Sequence, residues 1–182
     1  YSNIENAKSK GYNVLLLDGI LDAHFISTLE QKYGDCQFAR VDSASIDKLI
    51  EKEEESKESK LNDEQKESVK KAFEEIIDKT SFNVEFSNLS ETDAPVEVIQ
   101  NEFMRRMKEM SAMNGMSMWG GMPDSYTLML NVNNPVIAGI VDKNEEEQKN
   151  TIHQLYDLAR LSKNLLKGKD LNEFVKRSFN EI

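Results

Sequence analysis

"EEEQKNTIHQLYDLARLSKNLLKGKDLNEFVKRSFNEI", residues 145–182, decides the fold class. From Glu145 to Lys167 the apolar positions Ile152, Leu155, Tyr156, Leu158, Ala159, Leu161, Leu165 and Leu166 cover well over ~100° of a helix surface. Gly168 breaks that helix, Asp170 caps the next, and Leu171, Phe174, Val175, Ser178, Phe179 and Ile182 form its stripe. Two adjacent helices with faces this broad carry more apolar surface than one small sheet covers. A partner is implied, and two helix pairs from two copies closing as an intermolecular four-helix bundle is the simplest symmetric solution. The expected dimer contacts are Ile152, Leu155, Leu158, Ala159, Leu161, Leu165, Leu171, Phe174, Val175 and Phe179.

Working back toward the start, "NNPVIAGIVDK" has Asn134 as a cap and Pro135 in the first turn of a short helix. "FNVEFSN" and "PVEVI" alternate strongly and "YTLMLNV" weakly, which predicts three strands, the first two separated by the turn-forming "LSETDA". Before them Val69, Ala72, Phe73, Ile76 and Ile77 fall on one helical face, and Asn62 followed by Gln65 predicts a capping box. "EKEEESKESKLNDEQKES", residues 51–68, has no apolar face and reads as a solvated linker running into that helix. The expected organisation is therefore a segment over 1–50, a charged linker over 51–61 and an α+β domain over 62–182.

Residues 1–50 change period. "NIENAKSK" reads as the end of a helix with Gly11 as its left-handed stop. "NVLLLD" reads as a strand covered on both faces, "LDAHFISTLEQKYG" as a helix with Leu21, Phe25 and Leu29 on one face, and "CQFARVD" as a second strand. This is a βαβ-like unit of minimal size. The chain opens at Tyr1, inside what reads as a helix and without an initiator methionine, so it is expected to be a piece of something longer.

Charge narrows the function classes. Asp and Glu number 33 against 23 Lys and Arg, a net charge of -10, which repels nucleic acid and anionic membrane in the absence of a basic face. No apolar run approaches the roughly 18 residues of a bilayer span. Cys36 is the only cysteine, which excludes an internal disulfide and fits a cytoplasmic setting, and with two histidines it leaves zinc short of ligands. No nucleophile–base set or phosphate loop is present, and "WGGMP" lacks the flanking strand and helix of a phosphate cradle. His153 and Asp157 stand four apart, a spacing expected of a surface contact. Asp18, at the end of a predicted strand, and Asp22 beside it are the best enzymatic signal and define the alternative: a small acidic α/β enzyme or receiver-like module. Read structurally, Asp18 is a strand stop and Asp22 a helix cap.

"NEFMRRMKEMSAMNGMSMWGGMPD", residues 101–124, holds seven of the eight methionines and the only tryptophan. Phe103, Met107 and Met110 share a helical face with Met104 and Met113 beside it, and Met116, Met118, Trp119 and Met122 continue into a glycine-rich loop. A core role is the ordinary reading of such a stripe. Thioether side chains, however, adapt to varied apolar surfaces, and large apolar groups in a loop have no assured burial. An adaptive binding surface therefore stands beside the core reading, with a membrane surface or cuprous ion held by thioethers as lesser alternatives.

In order along the chain, "KGYNVLLLDGILDAHFISTL", a charged stretch, "DAPVEVI", "FMRRMKEM", "LNVNNPVI" and "LYDLARL" resemble the carboxy-terminal portion of the bacterial heat-shock protein 90 chaperones. The resemblance covers nearly the whole chain. It implies a homodimerisation domain whose terminal helices pair across a two-fold axis and an amphipathic helix that contacts non-native client proteins. Phe103, Met107 and Met110 match that helix, with Met104, Met113 and Trp119 in the same segment. Phe25, following His24, stands near the point of a further aromatic client contact. The resemblance also implies that ATP and magnesium belong to an amino-terminal domain missing here, so this piece is not an enzyme. Finally, "FNEI" lacks the acidic tail peptide through which eukaryotic cytosolic relatives bind helical-repeat co-chaperones.

Overall fold

Helix α1 (Ser2–Ser9) stops where the sequence places Gly11. The glycine takes φ +82°, Gly11 N donates to Lys8 O at 2.9 Å and Tyr12 N donates to Ala7 O at 3.0 Å, a left-handed closure that a Cβ would strain. The structure, a computed structural model, describes residues 2–9, 11–19, 21–36, 38, 40–41, 59–100, 105–106 and 125–180. The chain divides into two compact units, Tyr1–Glu53 with Ile99–Met122, and Glu54–Val98 with Pro123–Ile182.

In the first unit the central helix of the expected βαβ segment forms as α2 (Asp22–Lys32), but the expected strand before it does not; of the expected strand after it, residues 37, 39 and 42 lie outside the described residues. Residues 12–19 carry no strand pairing and Leu15, Leu16 and Leu17 are exposed, and Cys36, Phe38 and Arg40 are likewise irregular. The expectation of a strand covered on both faces is corrected. A strand exists only through its neighbours, and two parallel strands without a third are marginal in water. Asp22 is also not the residue that caps α2. It is the first helical residue, and its Oδ2 accepts from Gly19 N at 2.6 Å, which ties down the turn before the helix.

The second unit follows the predicted order closely. Asn62 Oδ1 accepts from Gln65 N at 2.8 Å while Gln65 Oε1 accepts from Asn62 N at 3.0 Å, so the capping box is complete and opens α3 (Asp63–Glu74). Val69, Phe73 and Ile77 bury fully in the core, with Ala72 and Ile76 packed at its edge. Strands β1 (Phe82–Ser87), β2 (Val96–Gln100) and β3 (Tyr126–Asn131) make a three-stranded sheet in the order β1-β3-β2. β1 and β3 run parallel from Phe82 opposite Tyr126 to Ser87 opposite Asn131. On the other side Asn131 N, at the end of β3, donates to Pro95 O just before β2, so that pair is antiparallel and the sheet is mixed. β3 is the central strand, and its residues from Leu128 to Asn131 are buried on both faces, which is why its alternation in the sequence was weak.

Three asparagines then organise the crossing loops. Asn131 Nδ2 donates to Ser90 O, Asn133 Nδ2 to Leu89 O, and Asn134 Nδ2 to Asp93 O at 2.9 Å and Glu91 O at 3.2 Å. Asn133 Oδ1 accepts from Lys60 N, and Asn134 Oδ1 accepts from Val136 N as the cap of the short helix α4 (Pro135–Ala138). These buried amides satisfy loop backbone that no strand reaches. A 3-10 turn (Gly139–Asp142) leads to α5 (Glu145–Ser162) and α6 (Gly168–Asn180). α5 ends five residues short of Lys167 because Asn164 takes φ +57° and Leu165 N reaches back to Arg160 O at 2.9 Å. No described helix is long and apolar enough to cross a membrane.

Candidate functional site

The broad stripe on the last two helices is divided by the fold. Ile152, Leu155 and Ala159 of α5 enter the protomer's own core, and Phe174 of α6 is also buried. Leu158 and Leu161 of α5 and Val175 and Phe179 of α6 remain exposed, with Leu165 and Leu171 intermediate. On α6 Leu171, Val175 and Phe179 are spaced by four, so they form one stripe, and Phe174 lies on another turned inward. The ten residues thus sort into an inner set that holds the protomer together and an outer set that faces away from its core.

A charged cluster joins the two helices. Asp157 Oδ2 accepts from Arg177 Nη2 at 2.5 Å and Oδ1 accepts from Arg160 Nη1 at 3.3 Å, while Arg160 Nη2 donates to Asp170 Oδ2 at 2.7 Å. Asp157 is therefore buried between helices, not at an exposed helix face as its spacing from His153 suggested; His153 itself is exposed. Arg160 also lies over the Tyr156 ring, 5.0 Å from its centroid. Burial works against the Arg160 charge, but the Asp170 hydrogen bond and the surrounding groups outweigh it and hold its pKa above the ordinary value. Burial pushes the Tyr156 phenol up. Sequence reasoning missed this cluster, although its signal was present: an acid and a base three apart on α5, and a base seven after an acid on α6.

Of the expected client contacts, Phe25 stands 57% exposed on α2, one turn beyond the exposed N-cap residue Leu21. Phe103, Met104, Met107, Met110, Met113 and Trp119 lie outside the described residues, as do Met116, Met118 and Met122. Within that segment Arg105 and Arg106 are described and helical. The Arg106 guanidinium forks onto Glu30 of α2, Nη1 to Oε2 at 2.7 Å and Nη2 to Oε1 at 3.3 Å, and Nη2 also donates to Phe38 O at 2.7 Å.

The alternative centred on Asp18 and Asp22 gains nothing from the geometry. Asp18 is exposed, the Asp22 carboxylate is engaged by the Gly19 amide, and among the described residues no three His, Cys, Asp or Glu side chains gather as a metal site.

A profile of the Hsp90 protein family matches residues 1–182. The chain belongs to the Hsp90 family. It is 36% identical to the chaperone protein HtpG of Bacteroides thetaiotaomicron across all of this chain and 37% of that protein. It is 42% identical to HtpG of Porphyromonas gingivalis strain ATCC 33277 across 85% of this chain and 23% of that protein. HtpG of Bacteroides fragilis strain 638R is 34% identical, again across the whole of this chain. This Hsp90-family chain thus spans little more than a third of the length of the curated relatives it matches. The resemblance read from its motifs is correct at the level of the family, and the α+β fold agrees with it.

Proposed function

We propose that the chain is the homodimerising and client-contacting part of a cytoplasmic Hsp90-type chaperone that binds non-native proteins. The observation that carries the reading is the division of the α5–α6 stripe. Leu158, Leu161, Val175 and Phe179 stay outside a core that is otherwise well filled, in a family whose relatives bear the name of chaperone. Pairing two such strips across a two-fold axis makes a four-helix bundle and removes apolar surface that water would otherwise cover. A total of roughly 1,600 Å² buried between copies is ordinary for a stable dimer. The outer set supplies the contact; Ile152, Leu155, Ala159 and Phe174 support it from behind. Phe25 and the methionine segment supply adaptable apolar contacts to clients. Nucleotide and its magnesium are assigned to parts of such a chaperone that this chain does not span, so the chain itself carries no catalytic residue. Its net charge of -10 disfavours nucleic acid and anionic membrane as partners.

The test is solution mass. Sedimentation equilibrium of the chain is expected to give a dimer, and the variant Leu158→Glu, Val175→Glu, Phe179→Glu a folded monomer, since all three side chains point away from the core. A variant that stays dimeric removes the assigned interface. On the client side, Met107→Ser with Met110→Ser is expected to weaken capture of a urea-unfolded test protein while shifting Tm by no more than about 2 °C. A large loss of Tm would return the methionines to a core role.

A further inference from the structure

The ion pairs between the last two helices fix their direction. Arg160 reaches Asp170 and Asp157 reaches Arg177, so a step back along α5 is a step forward along α6, and the two helices run antiparallel. The seam is sheltered, with the Asp157 side chain 10% exposed, Arg160 17% and Arg177 32%. Arg160 also ties it to the sheet. Its guanidinium lies over the Tyr156 ring, that ring meets Phe82 of β1 edge to face, and the Tyr156 hydroxyl accepts from Asp78 N at 3.5 Å.

The seam also decides where the apolar stripes point. On α5 Leu158 follows Asp157 by one position and Leu161 follows Arg160 by one, and on α6 Leu171 follows Asp170 by one. One position is about 100° of rotation, so on each helix the stripe starts the same angle round from the seam and in the same sense. In an antiparallel pair that common sense of rotation brings both stripes to one side. Leu158, Leu161 and Leu171 therefore open a single apolar surface. Val175 and Phe179 continue it along α6, each step of four residues turning about 40° further from the seam. Arg177 stands two positions from both Val175 and Phe179, about 160° around the helix from each. It bonds α5 on one side of α6, across the helix from the surface that a second copy would cover.

We propose that Asp157 and Arg177 are positioning residues for dimerisation: their pair holds α6 against α5 so that the two stripes present one surface to a second copy, without touching that copy themselves. The proposal rests on the dimerising reading given above. The measurement is the dissociation constant of the dimer, from sedimentation of the chain over a range of concentrations. Arg177 reaches Asp157 through Nη2, and its Nε is buried with no partner among the described residues, so the single ammonium of a lysine can take its place. Arg177→Gln is expected to weaken the dimer about ten-fold, since both copies must hold α6 in place and a helix held about a third of the time lowers the affinity by that much. Arg177→Lys is expected to stay within about three-fold of the parent. Amide exchange in Arg177→Gln is expected to speed across Gly168–Asn180 while Tyr126–Asn131 keeps the parent rate. An Arg177→Gln chain that dimerises as tightly as the parent overturns the positioning role and leaves the dimer reading intact. Equal weakening in Arg177→Lys assigns the loss to something other than the charge pair, and faster exchange in Tyr126–Asn131 assigns it to general loosening; either overturns the positioning role. A parent chain that is monomeric at every concentration overturns the dimer reading itself, and the positioning role with it.

Discussion

Two short apolar runs in this molecule, "LLL" at 15–17 and "LML" at 128–130, look alike in the sequence and have opposite fates. Leu128, Met129 and Leu130 are 0%, 4% and 0% exposed, whereas Leu15, Leu16 and Leu17 are 67%, 80% and 45% exposed. The difference lies in what surrounds them. The second run is the middle of β3, hydrogen-bonded on one edge to β1 and on the other to β2, with the Phe82 and Tyr126 rings stacked 5.3 Å apart at its start and the Phe82 and Tyr156 rings meeting edge to face. The first run has no strand beside it among the described residues. Hydrophobicity alone therefore does not make a core; it needs neighbours that satisfy the backbone while the side chains leave water.

The sharpest break of this comparison is one Leu→Ala truncation in each run. Leu130→Ala should cost about 2–5 kcal/mol of unfolding free energy, because it empties a fully packed site. Leu16→Ala should stay within about 0.5 kcal/mol, because water already covers that side chain. Urea unfolding followed by far-UV circular dichroism measures both. Equal losses would mean that residues 15–17 are buried in solution and would return them to the role of a covered strand.

A smaller effect sharpens the contrast inside the second unit, between elements held by apolar packing and one held largely by charge. α3, α5 and the 3-10 turn pack on one another and α3 on β1, whereas α6, with Phe174 buried, is joined to α5 through the Asp157–Arg177 pair and the Arg160–Asp170 pair. Asp157→Asn leaves two guanidinium groups facing a neutral amide. With the Arg177 side chain 32% exposed, water offsets part of the loss, so the cost should be about 2 kcal/mol, below that of a fully buried pair. Amide exchange should accelerate across Gly168–Asn180 before it does in α5. Uniform acceleration in both helices would show that α6 does not detach on its own.

What could be read from the sequence was local. The Asn62–Gln65 box, the Gly11 stop, the Asn134 cap and the alternation of "FNVEFSN" each depend on residues within a few positions of one another, and each appears in the structure. Apart from the Asp22 cap, a local reading displaced by one residue, what was misread depends on distant partners. Strand character at 13–18 requires a neighbouring strand that no local pattern announces. Asp157 looked like a surface residue because its partner Arg177 is 20 positions away. The α5 stripe marked an apolar face but not its division, since a helix of 3.6 residues per turn shows which residues share a face and not what lies opposite them. Ile152 and Leu158 were therefore indistinguishable until the sheet and α3 took one side.

The least effect expected comes from a single carboxylate that reports on the same local rule. Asp78 stands in the turn ahead of β1, where its Oδ1 accepts from the Thr80 hydroxyl at 2.6 Å and from Thr80 N at 3.0 Å. The Thr80 hydroxyl first, then the Ser81 hydroxyl and the Thr80 amide, hold its pKa below the ordinary 3.8. A lowered folded-state pKa means that the unfolded chain takes up the proton first as pH falls. The contribution to stability is therefore complete above the unfolded value and disappears as pH drops through the lowered folded value. Asp78→Asn keeps an acceptor in place and removes only the charge. Its small stability deficit at pH 7 should persist above the unfolded value of 3.8 and close as pH falls through the lowered folded value. A deficit that is the same at both ends of that range would assign the effect to the shape of the turn, not to the ionised carboxylate.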